Sequence, residues 1–190
     1  MNLSSVGQSI QSVVLFCGSG MGADPRYAEA AEAFGRFLAR RDVALVYGGG
    51  SVGLMGIAAR AAMEAGGKVV GVIPGFLVQR EVALLEVTDL RVTESMHDRK
   101  AEMERLGDAF VAMPGGLGTL DETFEILTWS QLGLHKKPVA FFNVNGFFDG
   151  LIEFIRHQAT EGFIQTETMP RLVAESELDA LWKALHFWES

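Results

Sequence analysis

Short, nearly continuous apolar runs alternate along this chain with longer segments in which apolar residues recur every three or four positions. The runs Ser12–Cys17, Ala44–Tyr47, Lys68–Ile73, Asp108–Met113 and Pro138–Asn143 are rich in β-branched and aromatic residues. Continuous rather than alternating apolarity is the pattern of strands covered on both faces, so these runs predict buried strands. Asp89–Thr93 is a weaker sixth candidate. Helical spacing predicts helices over Pro25–Arg40, Val52–Ala65, Ser95–Gly107, Thr119–Leu132 and Phe147–Gly162, with another near Glu175–Trp188. Strand and helix in alternation predict an α/β protein with a Rossmann-like, doubly wound, mainly parallel sheet and helices on both faces. No linker, repeat or low-complexity stretch interrupts the pattern, so residues 1–190 are expected to form one domain.

Composition narrows the partners. With 24 acidic against 16 basic side chains the formal charge is −8, which lacks the positive field that attraction to nucleic-acid backbones needs. One basic pocket for one small anion stays open. A single cysteine, Cys17, excludes an intrachain disulfide and any zinc site of several thiolates. Residues Met1–Ser12 are polar, and the longest apolar run, Val69–Val78, is broken by Gly71, Pro74 and Gly75. Neither reads as a targeting or spanning segment. The expectation is a soluble cytoplasmic protein with no nucleic-acid and no membrane partner.

In a doubly wound sheet, ligands bind in the loops beyond the carboxyl ends of the strands. Three of those loops are glycine-rich: Cys17–Gly22 (CGSGMG), Gly48–Gly53 (GGGSVG) and Pro114–Thr119 (PGGLGT). Glycine there allows either a tight turn or the approach of a phosphate to backbone N–H groups beside a helix start. The middle loop fits the dinucleotide fingerprint through Gly48, Gly50 and Gly53, yet no acid follows at the end of the next strand; the nearest, Glu64, lies inside the preceding helix. Gly49, Ser51 and Gly53 also fit the nucleophile elbow of acyl hydrolases, for which His135, His157 or His186 would have to supply the base. No glycine-rich run ends in the Gly-Lys-Ser/Thr of a Walker loop.

The third loop carries more chemistry. Thr119 is expected in the cap or first turn of its helix, where a hydroxyl beside free N–H groups can seat a phosphate, and Asp121 and Glu122 are expected in the same turn. Acids there could equally serve the helix dipole. On the preceding helix, Met96, Arg99, Met103 and Leu106 share a face, placing Arg99 in the apolar stripe and Lys100 at its edge. A buried guanidinium needs an anionic partner, a carboxylate or a phosphate, unless it reaches past the stripe to a surface acid.

Gly48–Gly56 (GGGSVGLMG), Met96–Met103 (MHDRKAEM) and Pro114–Glu122 (PGGLGTLDE) together resemble the signatures of the Lonely Guy family, cytokinin-activating phosphoribohydrolases often labelled lysine decarboxylases. The resemblance runs in order from about Val13 to Phe148 and includes Trp129–Pro138 (WSQLGLHKKP). It implies hydrolysis of the N-glycosidic bond of an N6-substituted adenosine 5′-monophosphate, giving free base and ribose 5-phosphate, with no metal and no organic cofactor. It places the catalytic pair on Arg99 and Glu122. It places substrate contacts on Met96, Lys100, Gly115, Gly116, Gly118 and Thr119, on Gly48, Gly49 and Gly50, and on Ser19. It also implies a homodimer. Asp98 and Asp121 stand where the family often has glutamate.

The chemistry of the residues agrees with this assignment. Breaking a ribosyl bond passes through an oxocarbenium-like state, so a carboxylate beside the sugar can stabilise the cation or deprotonate water. Pyridoxal phosphate, which the decarboxylase label would require, needs a Schiff-base lysine and a partner for its ring nitrogen. Apart from Lys100, which lies inside the MHDRKAEM motif, none of Lys68, Lys136, Lys137 and Lys183 has such a sequence setting. Two other readings remain: a broader nucleosidase acting on plain AMP, and a nucleotide-binding or carrier module without turnover.

Overall fold

Seven parallel strands form one sheet in the order β4-β3-β2-β1-β5-β6-β7 in a computed structural model that describes residues 9–79, 82–165, 167 and 169–188. The strands are β1 (Ser12–Phe16), β2 (Ala44–Tyr47), β3 (Val69–Pro74), β4 (Asp89–Thr93), β5 (Ala109–Ala112), β6 (Val139–Phe142) and β7 (Val173–Glu175). The helices are α1 (Pro25–Ala39), α2 (Gly53–Glu64), α3 (Met96–Leu106), α4 (Leu117–Gln131), α5 (Asp149–Thr160) and α6 (Leu178–His186). The doubly wound parallel sheet expected from the hydrophobic pattern is the fold observed. The reading of Met1–Ser12 falls largely on residues 1–8, which lie outside the described residues. No helix among the described residues is long and apolar enough to cross a membrane.

Alternate residues of each strand feed two cores. Val13 and Leu15 of β1 face α1, α2 and α6 through Phe34, Leu38, Leu54, Ala58 and Leu181. Val14 and Phe16 face α3, α4 and α5 through Met103, Ile126, Leu127 and Ile152. This double coverage is why the strands read as unbroken apolar runs. Helix starts are set locally. Asp24 caps α1 by accepting from the Arg26 N–H, with Pro25 in the first helical position. Ser95 and Asp98 form a reciprocal capping box that fixes the entry to α3.

β1 is the switch point: the chain winds outward through β2 on one side and β5 on the other, so the loops after β1 and β5 diverge and leave a crevice between them. At its base the Gly18 N–H donates to the Pro114 carbonyl at 3.0 Å.

Two expectations need correction. The segment expected to enter a helix at Glu175 first forms the edge strand β7, paired with β6 from Ala140↔Val173 to Phe142↔Glu175, and helix begins only at Leu178. A three-residue strand is too short to show a period of its own. Helix α4 starts at Leu117, two residues early, because Gly116 is its extended N-cap. Thr119 keeps a first-turn place, but Asp121 and Glu122 fall in the second turn, where the dipole of the helix start is weaker.

Candidate active site

The site is assembled from strand ends inward. Arg99 projects from α3 beneath the carboxyl ends of β2 and β3 and is 5% exposed. Its Nε donates to the Val72 carbonyl and its Nη2 to the Gly48 carbonyl, each at 3.1 Å. Two of its nitrogens are thus fixed by backbone, which locks the direction of the third. Nη1 lies 3.5 Å from Oε1 of Glu122 and 3.9 Å from the Met96 sulfur. Glu122 is itself 8% exposed. An ion pair this buried holds because each charge has its partner and the guanidinium has further acceptors. The turn at Gly48 admits this arrangement by close approach: a Cβ there would stand 2.0 Å from Arg99 Nη2.

The pair lines a cavity of about 250 Å³ together with Cys17, Ser19, Met55, Leu77, Met96 and the Gly116–Thr119 segment. Its floor is the start of α4, where the first N–H groups have no intrahelical acceptor and Gly116 offers no side-chain cap. Thr119 is buried with its hydroxyl against Gly115, where a Cβ would lie 2.1 Å from Oγ1. The Thr119 carbonyl accepts from the Thr123 hydroxyl at 2.6 Å. The backbone N–H groups of a helix start and a carboxylate thus line the same cavity. That combination can hold an anion and act on a developing cation. Cys17 sits in this wall. Burial, and then the neighbouring Glu122 charge, push its thiol far above the ordinary range, so it is a neutral wall group.

The structure gathers most of the expected residues here. Arg99, Glu122, Met96, Ser19, Gly116, Gly118 and Thr119 line the cavity, and Gly115 packs directly behind Thr119. It does not gather Lys100, whose Nζ lies 3.2 Å from Asp121 Oδ2 and 2.6 Å from Glu125 Oε2 and so ties α3 to α4. Burial works against that ammonium charge, but hydrogen bonds to Glu125 and then Asp121 win and raise its pKa. Gly48, Gly49 and Gly50 form a buried support: Gly48 holds Arg99, the Gly49 carbonyl accepts from the Leu84 N–H at 2.9 Å, and Gly50 bridges to Ala83. The two aspartates in glutamate-rich family positions have local tasks, Asp98 in the capping box and Asp121 beside Lys100.

Met55 and Leu77 also line the cavity, as do Cys17 and Leu117 from the two glycine-rich loops, though none of the four was expected as a contact. Met55 lies within the quoted GGGSVGLMG run, and Leu77 follows the carboxyl end of β3, the place where such a fold puts ligand contacts. The acyl-hydrolase alternative dissolves in the geometry. His135 Nε2 lies 2.9 Å from the Ile126 carbonyl, His186 Nδ1 3.2 Å from that of Trp182, and His157 approaches Glu161, so none serves Ser51. The acid that a dinucleotide site would need is not found at the β3 end among the described residues, and Glu64 pairs with Arg36 on the surface. Among the described residues no lysine lines the cavity, so the residues present do not fit pyridoxal phosphate.

The family model described as "Possible lysine decarboxylase" matches residues 55–185. Among characterised proteins the chain is 47% identical over 176 residues to the cytokinin riboside 5′-monophosphate phosphoribohydrolase of Rhodococcoides fascians, covering 92% of this chain and 89% of that one. It is 49% identical over 152 residues to the LOG protein of the same description in Oryza sativa subsp. japonica, covering 80% of this chain and 63% of the rice protein. Among solved structures it resembles the Moco carrier protein of Chlamydomonas reinhardtii with a TM-score of 0.68 at 21% identity, covering 93% and 95% of the two chains. That last likeness is one of fold alone.

Proposed function

The chain belongs to the Lonely Guy family of phosphoribohydrolases, and from this premise we propose that it hydrolyses the N-glycosidic bond of N6-substituted adenosine 5′-monophosphates, releasing the free base and ribose 5-phosphate. The observation that carries the reading is the buried Arg99–Glu122 pair standing in one cavity with the uncapped start of α4. The 5′-phosphate is anchored by Gly115–Thr119 and Ser19. This sets the ribose at a fixed reach from Glu122, so that remote binding energy positions the scissile bond. The Glu122 carboxylate stabilises the oxocarbenium-like carbon or takes a proton from water; the water oxygen bonds to C1′ as the C1′–N bond breaks, and the base leaves with a proton. Arg99, held by Val72 and Gly48, keeps that carboxylate aimed. The base lies against Met55, Leu77 and Met96, where flexible thioethers adapt to its substituent. Lys100 acts at one remove, fixing α3 against α4.

The whole chain works as one nucleotide-binding domain in the cytoplasm and pairs as a homodimer. The support for pairing is the outer side of α4 and the loop beyond it, where Leu117, Leu132 and Leu134 are exposed beside half-buried Phe124 and Trp129. Light scattering at micromolar concentration should give twice the monomer mass, and a monomer defeats this part.

The central test is a panel of 5′-monophosphates and matching nucleosides, with chromatography for released base. Monophosphates of N6-substituted adenosine should be cleaved far faster than the nucleosides. Equal rates on both forms remove the phosphate anchor. Preference for plain AMP selects the broader nucleosidase, and tight binding without base release selects a carrier.

A further inference from the structure

A second cavity, of about 320 Å³, adjoins the first and shares Ser19 and Gly116 with it. Its walls are the backbone of Gly18–Gly22 with Tyr27, Leu54, Pro114 and Phe147, and among the described residues no Lys, Arg, His, Asp or Glu side chain lines it. The Tyr27 ring meets Phe147 edge-on, centroids 5.8 Å apart, and lies flat against Gly22, where a Cβ would stand 2.6 Å from the ring. Phe147, 43% exposed, stands on α5's approach and has its other side against Phe148. The first cavity holds two charges; this one is apolar and aromatic.

The position of this cavity relative to the phosphate gives it a meaning, which rests on the proposed activity. With C1′ facing Glu122 and the 5′-phosphate at the Ser19–Gly116 rim, whatever is attached to the far phosphate oxygen enters the second cavity. Further phosphates would carry charge into apolar walls with no cation to meet it. An uncharged ring would instead bury apolar surface and find aromatic edges to pack on. We propose that the second cavity is a subsite for an uncharged, ring-bearing alcohol esterified to the 5′-phosphate, so that aryl 5′-phosphodiesters of adenosine nucleotides are substrates as well as monoesters. The diester retains one negative charge for the start of α4. The reaction is unchanged: water oxygen bonds to C1′, the C1′–N bond breaks, the base leaves with a proton, and the products are free base and the aryl ester of ribose 5-phosphate.

The test uses the full chain and three forms of one N6-substituted adenosine: the 5′-monophosphate, its phenyl 5′-phosphodiester and the 5′-diphosphate. The phenyl diester should be cleaved with kcat/KM within about tenfold of the monophosphate, and the diphosphate should fall at least about a hundredfold below it. Phe147→Ala, at a half-exposed position, should lower kcat/KM on the diester by about tenfold and leave the monophosphate within about twofold. Tyr27→Leu should act in the same direction. A phenyl diester that is neither cleaved nor able to compete with the monophosphate overturns the subsite, as does a Phe147→Ala that lowers both substrates equally. If the monophosphate itself releases no base, the proposed activity fails and the subsite falls with it, a result distinct from cleavage of the monophosphate alone.

Discussion

Helices α1 and α2 are joined by close backbone packing, whereas α3 and α4 are joined by ion pairs, Arg99 with Glu122 and Lys100 with Asp121 and Glu125. The α1–α2 pair buries Ala31, Phe34, Gly35 and Leu38 against Leu54, Met55, Ala58, Ala59 and Ala62, with its charges outside. Gly35 packs so closely on α2 that a Cβ there would stand 2.2 Å from the Ala58 carbonyl oxygen. Beside the core residues Met103, Ile126 and Leu127, the α3–α4 pair buries Arg99 on one helix and Thr119, Glu122 and Thr123 on the other. Burying a charge is costly unless it is paired, so a fold accepts it only where the charge is constrained by other elements. Arg99 is constrained by the loop after β2, by β3 and by α4 together. One pair spends its interface on packing, the other on holding two ions in place.

The sharpest way to break this contrast is Glu122→Gln. It preserves shape and some hydrogen bonding to Arg99, so nucleotides should still bind while kcat falls by about 10²–10⁴-fold or more. A folded Glu122→Gln protein with near-normal turnover, measured by base release, would return Glu122 to a structural role. Arg99→Ala should cost both function and fold. Glu122 and the carbonyls of Val72 and Gly48 lose their contact with the guanidinium, and breaking a buried pair on one side destabilises by about 3–5 kcal/mol. Denaturant unfolding reads that loss, and KM should rise as kcat falls. A fully stable Arg99→Ala would show the pair to be loosely held.

Gly35→Ala probes the other helix pair. The added methyl meets backbone, so α1 and α2 must separate, at about 1–3 kcal/mol of stability. At temperatures where the variant stays folded, its kcat should match the wild type, and a large fall in kcat would show that the two pairs are coupled. The smallest effect concerns Glu102, whose carboxylate bridges Arg105 and Arg91 and is held down to about 2 by hydrogen bonds from Arg105 and then Arg91, against the penalty of burial. Its folded pKa lies below the ordinary value of 4.5, so its contribution is complete above 4.5 and disappears as pH falls through about 2. Glu102→Gln should therefore lower Tm slightly at neutral pH, by the equivalent of about 1 kcal/mol or less, with the gap closing as pH falls toward 2. A gap that stays constant with pH would assign the effect to shape rather than charge.

The hydrophobic pattern alone determined the fold class, because a sheet covered on both faces makes every core strand a continuous apolar run that local spacing cannot imitate. It also placed Arg99 on an apolar helix face, where a charge has to find a partner. Periodicity could not show β7, since three residues at a sheet edge carry no period, nor that α4 begins at Leu117, since Gly116 caps it through backbone shape rather than a capping side chain. Which anion Arg99 would meet was open in the residue pattern, and only the tertiary structure decided it: the Val72 and Gly48 carbonyls fix two of its nitrogens and aim the third at Glu122. The same packing took Lys100, the next residue in the chain, away from the cavity, because successive residues on a helix point about 100° apart and Asp121 and Glu125 wait on that side. Sequence spacing fixes which residues can share a face; the neighbouring strands and helices decide what that face meets.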